Sequence, residues 1–446
     1  MHPWSQLAGF GMAGASLWVA LTPRDFTRDM IGGADPFRLI LWPRLVRFPI
    51  FWGGATMLLL VIVQALNPAW NFRQYGNFWW LMSANPIRWL PSGVGVPFER
   101  FNAWRQLIIY GGCWLAVSAA WVGLTRRRSI RILIGIVVAN GLVLCALLAF
   151  QRVTGDHRVP WPLIALTEKN LVASFIYTNH AGAYLDLAAF AAIALATWHL
   201  DHGRRALAKS TPAGVIALGG LFIIGGVFFT MSRGATLVLV IALGIYGAWF
   251  LMRGRYGPKA PGANSAVTKV VVILLFFFVA VAFRYIDFSE IYGRWNSMLV
   301  EGSSEPDVHS RVLARHAAGE MLRDHWLGGV GAGGFRHLFP EYVRNYPEIY
   351  ENGTVFWEHA HCDWLEIPIE VGLIGDLIIL AGAGWWLAWF VRKRVLWHPM
   401  AIPLLIGCLQ TLIHACFDFP FQCPAILVTW CVLLTVAGRW VEISDT

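Results

Sequence analysis

Apolar residues run along this chain in blocks of about 20, the length that crosses a hydrocarbon core. The blocks predict spans at roughly 49–66, 105–125, 132–151, 181–199, 213–230, 235–252, 270–284, 364–391, 400–417 and 424–441. Polar residues gather in the connectors between them. Met1 to Thr22 holds a shorter apolar stretch without the positive leading region of a secretory signal, so it reads as a marginal first helix or an interfacial segment. The pattern predicts an all-α polytopic membrane protein of about 10–12 transmembrane helices with one large helical extracytoplasmic loop. Residues 1–284 would hold the N-terminal helices, 285–363 the loop and 364–446 the C-terminal helices.

Composition agrees: of 446 residues 57% are hydrophobic and 14% charged, which excludes a large soluble enzyme. The net charge of +9 arises from short basic runs between apolar blocks, not from one continuous face, so it reports topology and not nucleic-acid binding. Arg126-Arg127-Arg128 with Arg131, Arg204-Arg205 with Lys209, Arg253 to Lys259, and Arg392-Lys393-Arg394 occupy alternate connectors. By the positive-inside rule these face the cytoplasm. The connectors 67–104, 152–180, 231–234, 285–363 and 418–423 therefore face outward, and 256–266 reads as a flexible cytoplasmic linker.

The 67–104 connector is crowded with aromatics, among them Trp70, Tyr75, Phe78, Trp79, Trp80 and Trp89. They suit an aromatic belt at the headgroup level or a platform for sugar rings. The seven cysteines include no CxxC pair, so neither a disulfide scaffold nor a zinc knuckle is indicated.

The chemistry-bearing residues lie on the outward connectors. Asn179-His180 stands where the chain enters a span, with Asp186 about two turns on, and Asn179 suits a helix cap or a ligand contact equally. Arg233 follows Met231-Ser232 in an abrupt polar break between two spans, where an arginine can snorkel to headgroups or hold an anion. In the long connector Ser304-Glu305-Pro306-Asp307 starts a helix on which Arg311 and Arg315 share a face. That face suits either solvent ion pairs or a phosphate. The run Gly328 to Phe335 spells GxGxxG, but no strand precedes it, so a turn whose amides approach a ligand or a neighbouring helix is expected in place of a dinucleotide site.

His359-Ala360-His361-Cys362-Asp363 then leads into a span. The spelling lacks the second half of a metal-ligand set, and a neutral His beside Asp363, Glu366 and Glu370 fits a general base or an orienting group better. No D-x-D pair and no P-loop occurs, so neither a metal nor a nucleotide cofactor is expected.

Taken in order, Asn179-His180-Ala181, Ser232-Arg233-Gly234-Ala235, Arg311, Gly329-Val330-Gly331-x-Gly333-x-Phe335 and His361-x-Asp363 running to Gly372-Leu373-Ile374-Gly375 resemble the bacterial O-antigen ligase/polymerase superfamily over roughly residues 170–376. The resemblance implies a multi-pass inner-membrane glycosyltransferase whose site faces the periplasm. Its donor would be an undecaprenyl-pyrophosphate-linked glycan, its acceptor lipid A core or a growing polysaccharide, with protein as a further acceptor class, and no cofactor would be needed. It implies that Arg233 and Arg311 bind pyrophosphate and that His361 is the catalytic histidine, with Asn179, His180, Arg315, His359 and Asp363 contacting substrate or orienting these groups. One departure is Cys362, where the family often carries Asn, Ser or Gln. A transporter of lipid-linked glycan is the rival from a different class, although no internal repeat supports it.

Overall fold

The computed structural model describes residues 3–22, 40–155, 171–206, 210–256, 306–350 and 356–445. The expected span at 270–284, the linker beyond 256, and Ser304 and Glu305 at the expected helix start lie outside these residues. Among the described residues seven helices are long and apolar enough to cross a membrane: α2 (Pro49–Leu66), α3 (Ala103–Gly123), α4 (Arg127–Thr154), α5 (Thr178–Arg205), α7 (Arg233–Tyr256), α9 (Asp363–Arg392) and α11 (Pro424–Asp445). Helices α6 (Ala213–Phe229) and α10 (Ala401–His414) are apolar but shorter. The first apolar stretch forms α1 (Pro3–Leu21), and Pro306–His325 forms α8 outside the spans. The chain is thus an all-α polytopic membrane protein.

Contacts divide it into two compact units. Unit 1 comprises Met1–Thr125, Pro306–Trp389 and Ala415–Pro424; unit 2 comprises Arg126–Glu305, Phe390–His414 and Ala425–Thr446.

In unit 1, Pro49 stands in the first turn of α2, where its missing N–H costs nothing, and α2 ends just before Pro68 opens a strand. Here the aromatic connector holds a feature the apolar pattern did not predict, a three-stranded sheet of order β2-β1-β3. Its strands are β1 (Pro68–Tyr75), β2 (Phe78–Ser83) and β3 (Gly93–Gly95). Strands β1 and β2 pair antiparallel around Gly76-Asn77, with Tyr75 opposite Phe78 and Phe72 opposite Leu81. Phe72 is buried, while Tyr75, Phe78 and Trp80 stay exposed on the other face. The inner face, through Trp70 and Leu81, packs on a core of Ala314, Ala317, Ala318, Met321, Phe335, Phe339 and Ala360. Asn102 caps α3 by accepting from the Arg105 amide at 3.0 Å.

Helix α9 is broken at Gly372, whose φ of 64° and ψ of −174° interrupt the spiral. Backbone groups released inside a membrane-crossing helix need partners from elsewhere in the protein. The glycine-rich run supplies them: Val330 N donates to Ile369 O at 2.9 Å and Gly331 N to Glu370 O at 3.0 Å, while Leu373 N donates to Trp326 O at 2.9 Å. The run therefore docks on a neighbouring helix. A side chain at Gly329 (φ 70°) would sit 2.4 Å from Glu370 O, so only glycine permits this approach. Gln64, fully buried near the end of α2, bridges the same junction by donating to Glu370 O at 3.0 Å and accepting from Ala332 N at 3.3 Å.

In unit 2, α5 is the most deeply buried of the membrane-crossing helices. Its alanine-rich sequence explains this, because small side chains let neighbouring backbones approach where lipid supplies no hydrophobic drive. Phe190 on α5 fills the space above Gly407 of α10, and Gly182 lies against Ala235 of α7.

Candidate functional site

The expected site residues fall into two groups, one in each unit. In unit 1 the segment 356–362 crosses from the extramembrane core into α9. His361 adopts a φ of 51°, a left-handed conformation that costs energy for a residue with a Cβ and persists only where the surroundings enforce it. The surroundings do so on both sides. Arg315 Nη2 donates to the His361 carbonyl and to the Phe417 carbonyl, each at 3.2 Å. The Asp363 amide donates to Ala415 O at 3.0 Å, and the Asp363 carboxylate accepts from the Phe421 amide at 2.9 Å.

The His361 imidazole stays partly accessible at 18% and meets the rings of Phe419 and Trp357 edge-on, with centroids 4.9 and 5.8 Å away. Its Nδ1 lies 3.8 Å from Asp418 Oδ1, farther than a hydrogen bond reaches. Asp418 is buried and accepts from the Phe419 amide at 2.9 Å. The carboxylate facing His361 is therefore Asp418, which the sequence reading did not single out, while Asp363 fastens the turn that carries it. The only sequence signal was a lone acid within the short outward turn between two apolar blocks.

His359 occupies a different network. Its Nδ1 lies 2.7 Å from Glu366 Oε1 and its Nε2 3.2 Å from Arg336 Nη2. A guanidinium can only donate, so Nε2 accepts and Nδ1 carries the proton given to Glu366. The second oxygen of Glu366 accepts from the Ala360 amide at 2.8 Å. One buried carboxylate thus fixes the two residues directly before His361. Glu366, one of the carboxylates set beside the histidines in the sequence, thus pairs with His359, whereas Arg336 was missed, since the fold alone brings it there. On α8, Arg311 lies one turn before Arg315 and is half-buried. Among the described residues no three His, Cys, Asp or Glu side chains are placed to hold a metal ion.

Behind this site His337 is 4% exposed, bonded through Nε2 to Phe101 O at 2.8 Å, with Phe72 and Trp79 edge-on to its ring. Burial pushes its pKa down from 6.5 to about 4, with Arg336 and Arg100 opposing the charge further and the Phe101 carbonyl partly offsetting both. The unfolded chain therefore binds the proton first, so stability is lost as pH falls from about 6.5 towards 4, by up to about 3 kcal/mol. Thermal unfolding from pH 7.5 to 4.5 should show a steeper decline for the native chain than for His337→Gln. Parallel curves would contradict this assignment.

In unit 2, Asn179 Oδ1 accepts from Ser232 Oγ at 2.7 Å and its Nδ2 donates to Tyr177 Oη at 2.9 Å. Ser232 Oγ accepts in turn from the Ala235 amide at 3.2 Å, capping α7. Asn179 thus braces the cap of another helix. His180 stands edge-on to Tyr177 at 5.1 Å. Met231 takes a φ of 59° and turns the chain so that Arg233 opens α7 exposed, at the end where the helix dipole favours anions. Asn179, His180 and Arg233 are brought together here; Arg315, His359, His361 and Asp363 are brought together in unit 1.

Residues 218–380 match the family model described as O-Antigen ligase. Over that stretch the chain is similar to the O-antigen ligase superfamily. Members of that superfamily are ligases and polymerases of the glycosyltransferase type. The matched stretch contains Arg233, Arg311, Arg315, His359, His361, Asp363 and the Gly372 break, whereas Asn179, His180 and Asp418 lie beyond it. No curated protein matches the chain.

Proposed function

We propose that this protein transfers a glycan from an undecaprenyl-pyrophosphate-linked donor to an acceptor sugar hydroxyl, at the periplasmic face of a bacterial inner membrane. The observation that carries the reading is the His361 loop, in which an accessible imidazole is held at a strained backbone position beside the buried Asp418 carboxylate. Strain of this kind is retained where pre-organisation serves chemistry.

In the reaction the acceptor hydroxyl oxygen attacks the anomeric carbon, its proton passes to His361, and the bond from that carbon to the pyrophosphate oxygen breaks. The electron pair leaves on undecaprenyl pyrophosphate. Asp418 stabilises the imidazolium that forms. Arg311 neutralises the charge that develops on the leaving group, the task that fixed donors perform without a metal, and the resemblance assigns Arg233 to the donor's pyrophosphate as well. Arg315 acts through the backbone of His361. Asn179 holds the Ser232 cap from which Arg233 projects.

Incubating the purified protein with a lipid-linked glycan and either a lipid A core acceptor or an oligosaccharide acceptor tests this. Free undecaprenyl pyrophosphate should appear with the product, and Arg311→Ala and Arg233→Ala should each lower turnover by about 10²-fold or more, the scale of removing one oxyanion donor. Movement of intact donor without its release would replace transfer by transport.

A further inference from the structure

Unit 2 holds a second constellation that glycan transfer does not use, at the ends of its helices remote from Asn179 and Arg233. Helix α5 runs about 40 Å from Thr178 to Arg205 at 1.5 Å per residue, so its two termini serve different surfaces. Near its C-terminus, the Arg131 guanidinium lies over the Trp198 ring, 4.3 Å from the centroid. His202 stacks on the same indole at 4.9 Å with planes 9° apart. His199 and Trp440 meet it edge-on at 4.7 and 5.7 Å. Arg127 reaches over Trp440 at 5.7 Å.

The local acids are already engaged. Asp201 pairs with Arg205 and Arg253, each at 3.0 Å, and Glu442 pairs with Arg439. Among the described residues no carboxylate pairs with Arg127 or Arg131, and Arg131 Nε is buried without a hydrogen-bond partner. Two guanidinium groups therefore stand with uncompensated charge around a pair of indoles. Arg127 gives one donor to Ile443 O at 3.4 Å, and a guanidinium resting on an indole presents its other forked donors to an anion, a geometry that phosphate matches. Tryptophan at the end of a membrane-crossing helix lies at headgroup depth.

At that depth the anion at hand is an acidic lipid headgroup, which draws arginines at the membrane surface.

We infer that Trp198, Arg127, Arg131 and His202 form a binding site for the phosphodiester headgroup of an acidic phospholipid. Native mass spectrometry of the detergent-solubilised protein, titrated with equal amounts of phosphatidylglycerol and phosphatidylcholine, tests it. The unmodified chain should retain phosphatidylglycerol about five-fold in preference, the factor that one interfacial arginine contributes. Arg131→Gln should bring the two lipids to parity. Arg127 is exposed, so Arg127→Gln gives the same reading in a protein whose folding is not at stake. Equal retention of both lipids by the unmodified chain, or a preference that survives both substitutions, would overturn the site. Displacement of the lipid by equimolar inorganic phosphate would overturn the lipid assignment.

Discussion

Replacing His361 with alanine is expected to lower glycan transfer by about 10³-fold while leaving the protein folded, the range lost when a positioned general base is removed. Alanine tests the imidazole, but the left-handed backbone at this position complicates the comparison, since any residue with a Cβ is strained there. Asparagine tolerates that conformation better than most, so His361→Asn keeps the loop geometry and removes only the basic nitrogen. Both variants should bind donor normally and fail to turn it over. Wild-type turnover by His361→Asn would dismiss the imidazole from the chemistry and leave the loop a purely architectural role.

The second large effect is expected at Glu366. Its two oxygens accept from His359 Nδ1 and from the Ala360 amide, so alanine leaves both donors unmatched behind the His361 loop. Two buried donors losing a charged partner cost about 2–5 kcal/mol in local stability. The consequence for transfer is a fall in kcat of about 10²-fold with KM little changed, as expected when a catalytic group is displaced without loss of binding. Glu366→Gln offers one acceptor oxygen and one NH2 to two donors, so it should recover part of the loss. Full activity in Glu366→Ala would show that Arg315 and the 415–423 turn hold the loop unaided. A rise in KM alongside the fall in kcat would point instead to direct substrate contact.

Much of the scaffold could be read from the chain because apolar blocks of bilayer length have few alternatives. The block at 49–66 became Pro49–Leu66 and that at 424–441 became Pro424–Asp445. The sheet was hidden for a related reason. Strand β2 presents Phe78, Trp80 and Met82 outward, so the alternation of apolar and polar residues that announces a half-buried strand is absent. The Gly76-Asn77 turn was the remaining clue. The break at Gly372 was equally concealed, because hydropathy continues through it and only the docking of Val330 and Gly331 reveals the loss of helical bonding.

For the site, spacing along the chain could nominate His361, Arg315 and Asp363, but not who faces whom. Asp418 is 57 residues from His361, and their proximity depends on how α10 and α11 return the chain to the same turn. Gln64 sits within an apolar run, and its role follows from folded geometry alone.

The junction at Gly372 also bears on biogenesis. The glycine-rich run leaves the ribosome before α9 does, yet the carbonyls that receive its amides belong to Ile369 and Glu370. This part of the extramembrane segment cannot complete its bonding until the later helix has entered the bilayer. Docking therefore waits on insertion of α9, and a fragment ending before that helix would be left with its amides still seeking acceptors.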